Sequence, residues 1–241
     1  MTNTSKHRFF VNPELITADR IVFPTEEARH ASKVLRLGIG DEVTVVDGAG
    51  GTYLAAIEVI TNKGTVARIL SKTMEESEPG FYVHIGVGLL KQASRWEMFL
   101  EKAVELGVSR ITPLVTQRMQ KIAFNQRRAE AICIAALKQS GRSRLPVVDS
   151  PTKFVKMIEG SKALSCRMIC HEASDNAPRM LNLLKDRPQS VGLLVGPEGG
   201  FTDEEVSVAL EAGWSDVWLG ERRLRTETAA IAALSVVSQA I

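Results

Sequence analysis

Three cysteines among 241 residues, Cys133, Cys166 and Cys170, are odd in number, and no two of them are separated by a two-residue gap. That excludes a disulfide framework and the spacing of zinc or redox motifs. The three are expected as buried free thiols, and four scattered histidines add no metal site. Long apolar runs are missing too. None approaches the ~20 residues that a bilayer span needs. The segment Met1-Thr2-Asn3-Thr4-Ser5-Lys6-His7-Arg8 lacks the apolar centre of a signal peptide, so the expectation is a cytoplasmic protein with no membrane partner. Net charge is only +2, which gives no bulk electrostatic sign of a nucleic-acid partner. Internal repeats and low-complexity tracts are also absent.

What is present is an ordinary globular composition, 44% hydrophobic and 24% charged, in a chain long enough for two compact units. Its cations cluster. Lys6, His7, Arg8, Arg29, His30, Lys33 and Arg36 lie near the start; Arg118, Lys121, Arg127, Arg128, Lys138, Arg142 and Arg144 gather mid-chain. Such clusters can be a footprint for phosphates or simply solvated helix faces, and charge alone leaves both open.

The first seventy or so residues are β-rich. Val43–Val46 and Thr52–Ile60 flank Asp47-Gly48-Ala49-Gly50-Gly51, a strong hairpin signal. Asn62-Lys63-Gly64 marks a further turn before the strand Thr65–Leu70, and a short helix, Glu26–Leu35, precedes them. A small barrel with one helix is expected over residues 1–73. Met74–Gly80 is polar, acidic and strand-breaking, as a linker would be. From residue 79 to 241 strands alternate with helices: strand Tyr82–Leu89, helix Arg95–Leu106 closed by Gly107, strand Ile111–Val115 and helix Arg127–Gln139. Strand Arg167–Cys170, helix Ala177–Lys185 and two terminal units complete the series. Trp96, Phe99, Leu100, Ala103 and Val104 share one face of the first of these helices. The alternation predicts an α/β domain, a parallel sheet with helices on both faces.

Two loops near the carboxyl end carry the chemistry. The first, Gly196-Pro197-Glu198-Gly199-Gly200, follows the strand Val191–Val195 and precedes a helix whose start is marked by the capping box Thr202/Glu205. The second, Glu221-Arg222-Arg223-Leu224-Arg225-Thr226-Glu227, follows Asp216–Gly220 and opens an alanine-rich helix. In α/β folds ligands bind at the carboxyl ends of strands. The first loop does not match the GxGxxG spacing, although Glu221 stands near where a ribose-binding acid would be, and no Gly-Lys-Ser/Thr makes a P-loop. Glu198 would repel an anion, so a ligand with hydroxyls, an amine or a positive centre suits the loop. A tight turn without ligand and a surface salt-bridge cluster remain the bland accounts of the two loops.

Leu193–Phe201 together with Leu219-Gly220-(x)3-Leu224-Arg225-Thr226-Glu227-Thr228-Ala229 closely resembles the RsmE family, SPOUT-superfamily methyltransferases that act on N3 of a uridine in 16S ribosomal RNA. The resemblance covers the whole chain. Arg8-Phe9-Phe10-Val11 is similar to the family's opening, His30-(x)2-Lys33-Val34-Leu35-Arg36 to its N-terminal helix, and Gln139-Ser140-Gly141-Arg142 to its mid-chain motif. It implies a PUA-like RNA-binding barrel, a SPOUT methyltransferase domain with a C-terminal trefoil knot, and a homodimer. It implies S-adenosylmethionine as cofactor, held by Leu194, Val195, Gly196, Glu198, Gly199, Leu219, Gly220, Leu224, Thr226, Thr228 and Ala229. Two departures stand out: Glu221 replaces a proline after Leu-Gly, and Lys91-Gln92-Ala93-Ser94-Arg95 differs from Lys-Gly-Asp-Arg while keeping both cations.

N3 of uridine holds a weakly acidic proton and is a poor nucleophile until that proton leaves. Arg225 or Arg142 is expected to stabilise the uracil anion, with Glu227 accepting the proton or orienting Arg225. An ion pair of Arg225 with Glu227 that only shapes the helix start is the plain alternative. Arg8, Lys33, Arg36, Lys91 and Arg95 are the expected RNA contacts, and the small ribosomal subunit the expected partner. The competing functions are a non-catalytic RNA-binding ribosome-assembly factor and a nucleotide-dependent oxidoreductase, the latter disfavoured by the glycine spacing.

Overall fold

The computed structural model describes residues 7–61, 64–119, 123–171 and 178–240. Lys6, Asn62, Lys63, Lys121 and Ala177 therefore lie outside the described residues. Two compact units emerge: residues up to Glu78 together with Leu137–Leu145, and Pro79–Ala136 together with residues from Pro146 onward.

In the first unit, strands β1 (Arg8–Phe10), β2 (Arg20–Val22), β3 (Glu42–Val46), β4 (Gly51–Thr61) and β5 (Gly64–Met74) form one sheet in the order β1-β3-β4-β5-β2. The hairpin expected at Asp47 is there. β3 and β4 pair antiparallel, and the Asp47 carboxylate accepts hydrogen bonds from the Ala49 and Gly51 N–H groups and the Tyr53 hydroxyl at 2.7, 2.8 and 3.0 Å. The expected barrel is recorded as an open ladder, since no described strand pairing joins β2 to β1. Phe9, Ile21, Val43, Val45 and Ile57 fill the core against helix α1 (Thr25–Arg29). The single helix expected over Glu26–Leu35 is instead α1 continued by a π-helical segment, His30–Val34, and Arg36 follows with φ 54°.

Residues 74–80 differ from a free linker. β5 runs on to Met74, and Glu78 is bound inside the first unit. One carboxylate oxygen accepts from the Ser143 and Arg144 N–H groups at 2.7 and 2.8 Å; the other accepts from Arg142 Nη2 at 2.7 Å. Contiguous boundaries read from composition cannot show that Leu137–Leu145 joins the first unit, because that membership is made by contacts with residues more than sixty positions away.

The second unit contains β6 (Tyr82–Gly88), α2 (Ala93–Glu105), β7 (Arg110–Val115), α3 (Gln126–Ser140, its last turn belonging to the first unit), β8 (Val147–Val148), β9 (Thr152–Lys153) and α4 (Phe154–Gly160). It continues with β10 (Cys166–Cys170), α5 (Met180–Leu183), β11 (Ser190–Val195), α6 (Asp203–Glu211), β12 (Ser215–Val217) and α7 (Thr226–Ala240). The strands run parallel in the order β12-β10-β11-β6-β7-β8, with β9 also on β7. The face predicted for α2 is the buried one, and Gly107 closes the helix at φ 87°. α7 packs on α2, α5, β11 and β6, while α4 packs on β7 and α6. Helices thus cover both faces of the sheet, as parallel sheets require. The sequence reading misses β8, β9 and α4, too short to show a period, and overextends α5. Cys133 is buried, but Cys166 and Cys170 are only half-buried, and none of the three is in a disulfide. No described helix is long and apolar enough to cross a membrane.

One buried polar chain sits in this sheet. His84 Nε2 is 2.7 Å from Thr112 Oγ1, which lies 2.5 Å from Asp149 Oδ2. Burial, with the Arg110 charge adding to it, holds the His84 pKa down at about 4 against an ordinary 6.5. The unfolded chain therefore takes up the proton first as pH falls below 6.5, and stability drops until the folded histidine titrates near 4. Over that window the histidine alone is expected to cost about 3 kcal/mol. Denaturant titrations of wild type and His84→Gln between pH 7 and 4 should diverge by that amount, and parallel curves would refute it.

Candidate functional site

The parallel sheet places the ends of β6, β7 and β11 side by side, and their loops interlock. Gly88 is where β6 passes the first loop: a Cβ there would stand 2.4 Å from Pro197 N, so only glycine allows the approach. The Lys91 N–H points at Glu198 Oε1 at 3.4 Å, and Arg118 Nη1 donates to the Gly199 carbonyl at 3.1 Å. The capping box is complete, Thr202 Oγ1 accepting from the Glu205 N–H and Glu205 Oε2 from the Thr202 N–H. Glu205 does more than cap. Its other oxygen accepts the Gln117 N–H at 2.9 Å, tying the loop after β7 to the start of α6. Between the three loops lies a cavity of about 280 Å³, lined by Leu89, Lys91, Arg118, Met119, Pro197 and Glu198 and by the backbone of Gly199.

On the other flank of β11 lie β10 and then β12. The second loop leaves β12 there. Leu219, Gly220 and Leu224 are half-buried, and Gly220 has φ 123° with nothing within 4 Å of where a Cβ would be, so its backbone is open to a ligand. Arg225 is exposed, and its carbonyl accepts the Ala229 N–H as α7 begins. Thr226 is buried, Ala229 half-buried and Thr228 exposed. Leu194 and Val195 are buried at the end of β11, Gly196 is half-buried, and Glu198 and Gly199 are exposed.

Glu227 is the unusual group. It is 3% exposed, Oε1 stands 3.6 Å from Arg95 Nε, and Oε2 is buried with no hydrogen-bond partner. A buried carboxylate with one oxygen unmatched is costly, and such groups concentrate where a substrate supplies the missing partner. Among the described residues no ion pair joins Arg225 to Glu227. α7 packs on α2, and the first turns of the two helices meet through Arg95 instead.

The other sequence candidates are distributed differently. Arg142 belongs to the first unit, 4% exposed, its guanidinium on Glu78. Arg8, Lys33 and Arg36 are also first-unit residues; Lys33 and Arg36 are exposed, and burial lowers the Arg8 pKa while the Glu76 charge opposes that. Lys91 and Arg95 are brought to the loop cluster. Arg118 and Met119 escaped the sequence reading, which noted Arg118 only as one of the mid-chain cations. Its place directly after a predicted strand was the available signal.

With this geometry in hand, comparisons with known proteins are specific. Residues 76–238 match a family described as RNA methyltransferase domain, and residues 23–70 one described as RNA methyltransferase PUA domain. The chain is similar to ribosomal RNA small subunit methyltransferase E of Synechocystis, 34% identical over 96% of this chain and 77% of that protein. It is 31% identical to the protein of that name from Mesomycoplasma hyopneumoniae, over 93% of this chain and 96% of that one. A solved ribosomal RNA small subunit methyltransferase E from Neisseria gonorrhoeae, bound to S-adenosyl methionine, superposes with a TM-score of 0.83 at 29% identity, covering 95% of each chain.

Proposed function

The chain belongs to the ribosomal RNA small subunit methyltransferase E family, and we propose that it methylates N3 of a uridine in 16S ribosomal RNA with S-adenosylmethionine as donor. The observation that carries this reading is the second unit's loop cluster, where a backbone-open glycine loop and a buried, half-partnered carboxylate meet on one α/β scaffold. The residues present fit the cofactor: Gly196–Gly200 and Leu219–Leu224 offer backbone to an adenosine, and Glu198 suits a sulfonium better than a phosphate. When bound, that group supplies an electrophilic methyl carbon.

The chain's own residues do the rest. Glu227 Oε2, buried and without a partner, accepts the N3 proton. Arg95, with one edge of its guanidinium toward Glu227 and its side chain 27% exposed, has N–H donors left for the uracil oxygens, where negative charge develops. Arg225 stands exposed at the mouth of the second loop as a further cation. Holding two substrates in line supplies several kcal/mol of the barrier by itself. The first unit, with Lys33 and Arg36 on its surface, is the RNA-binding domain of this reading, and the second unit the methyltransferase domain. The reading includes a trefoil knot through the two loops and a homodimer, supported by the loop motifs at Leu193–Phe201 and Leu219–Ala229.

Calorimetric titration tests it directly. S-adenosylhomocysteine is expected to bind and NAD not to bind, and labelled methyl from S-adenosylmethionine to appear on N3 of one uridine in 16S ribosomal RNA. Binding of NAD alone would turn the reading to an oxidoreductase. Binding of RNA with neither S-adenosylhomocysteine binding nor methyl transfer would leave an assembly factor.

A further inference from the structure

The cavity between the loops after β6, β7 and β11 is not needed to hold the second loop or Glu227, yet its lining is chemically divided. Leu89 and Pro197 lie buried in its floor and Met119 is half-buried beside them, Lys91 and Arg118 contribute two cations, and Glu198 contributes a carboxylate. Lys91 and Arg118 are exposed, and neither has an ion pair among the described residues. Arg118 is held in place from below, one nitrogen on the Gly199 carbonyl, so its remaining donors are pre-positioned. At about 280 Å³ the cavity has room for one nucleotide and none for a duplex. Resting on the methyltransferase reading above, we propose that this cavity is the target-nucleotide subsite: the uracil ring lies against Met119 above the floor made by Leu89 and Pro197, and the adjoining phosphate is held by Arg118 and Lys91.

The chemistry of each group matches that occupant. Base faces lie well on apolar side chains, and sequence-specific readers of RNA work on bases splayed out of a strand. A guanidinium suits a phosphate through paired N–H donors, and a lysine adds a point charge. Selectivity comes from the carboxylate that takes the proton: the N3–H of uracil can donate to Glu227 Oε2, whereas N3 of cytosine presents a lone pair that a carboxylate repels. Lys91 lies four residues before Arg95, so the cavity and the Arg95–Glu227 pair are joined through the start of α2.

The test measures KM for 16S ribosomal RNA at saturating S-adenosylmethionine, alongside the Kd for S-adenosylhomocysteine, in wild type, Arg118→Ala, Arg118→Lys and Lys91→Ala. Arg118→Ala and Lys91→Ala are expected to raise the RNA KM tenfold or more with the S-adenosylhomocysteine Kd within twofold, and Arg118→Lys to recover most of the loss. In wild type, uridine monophosphate should compete with RNA better than cytidine monophosphate. An unchanged RNA KM in both alanine variants overturns the assignment. An equal rise in the S-adenosylhomocysteine Kd would make Arg118 a prop of the Gly199 loop and overturn it too. A wild type that methylates no RNA would instead overturn the parent reading, and this subsite with it.

Discussion

Glu227→Gln is expected to lower kcat for methyl transfer by about 10²- to 10⁴-fold, the usual contribution of a positioned proton acceptor. The amide keeps the shape and keeps an oxygen for Arg95, but cannot take a proton from N3. Folding should not suffer. The carboxylate is 3% exposed and one oxygen has no partner, so neutralising it removes a desolvation cost while giving up an ion pair at 3.6 Å. S-adenosylhomocysteine should bind the variant as it binds wild type. The decisive readout is the pH profile. As the medium becomes alkaline the uracil loses its proton without help, so the gap between variant and wild type should narrow. A constant deficit across pH would mean that Glu227 only positions Arg95, and an unchanged kcat would remove it from the chemistry.

The second large effect concerns stability. Glu78→Ala is expected to destabilise the first unit by about 3–5 kcal/mol, the range for breaking a buried ion pair. Both partners have side chains 5% exposed. The change takes the carboxylate from Arg142 and also strips the Ser143 and Arg144 N–H groups of their acceptor. Arg142→Met should cost less, because Glu78 keeps both backbone donors and the methionine fills much of the guanidinium's space. Differential scanning calorimetry of the full chain checks the order. The same pair of variants weighs the catalytic expectation for Arg142: a stable Arg142→Met protein that binds S-adenosylhomocysteine but transfers no methyl would return this arginine to the reaction.

Much of the fold was written locally. The Asp-Gly turn, the apolar face of α2, its glycine stop and the capping box at Thr202 each depend on residues within a few positions of one another, so periodicity and turn chemistry reveal them. The two glycine loops were legible for the same reason, as strand-to-helix turns with unusual charge. The π-helical step at His30–Val34 was not legible, because it differs from an α-helix by a single hydrogen-bond register.

The sequence by itself determined a β-rich unit followed by a parallel α/β unit, the position of the two ligand loops and, through their motifs, the family. Only the tertiary structure decided which charges meet. It put Arg95 rather than Arg225 on Glu227, closed Arg142 onto Glu78, drew Leu137–Leu145 into the first unit and set Arg118 against Gly199. The physical reason is common to all four. Local structure follows from neighbours along the chain, whereas an ion pair is settled by which strand ends and helix starts the packed core brings within a few ångströms. That packing is a sum over apolar contacts distributed through the whole unit, and no single motif encodes it.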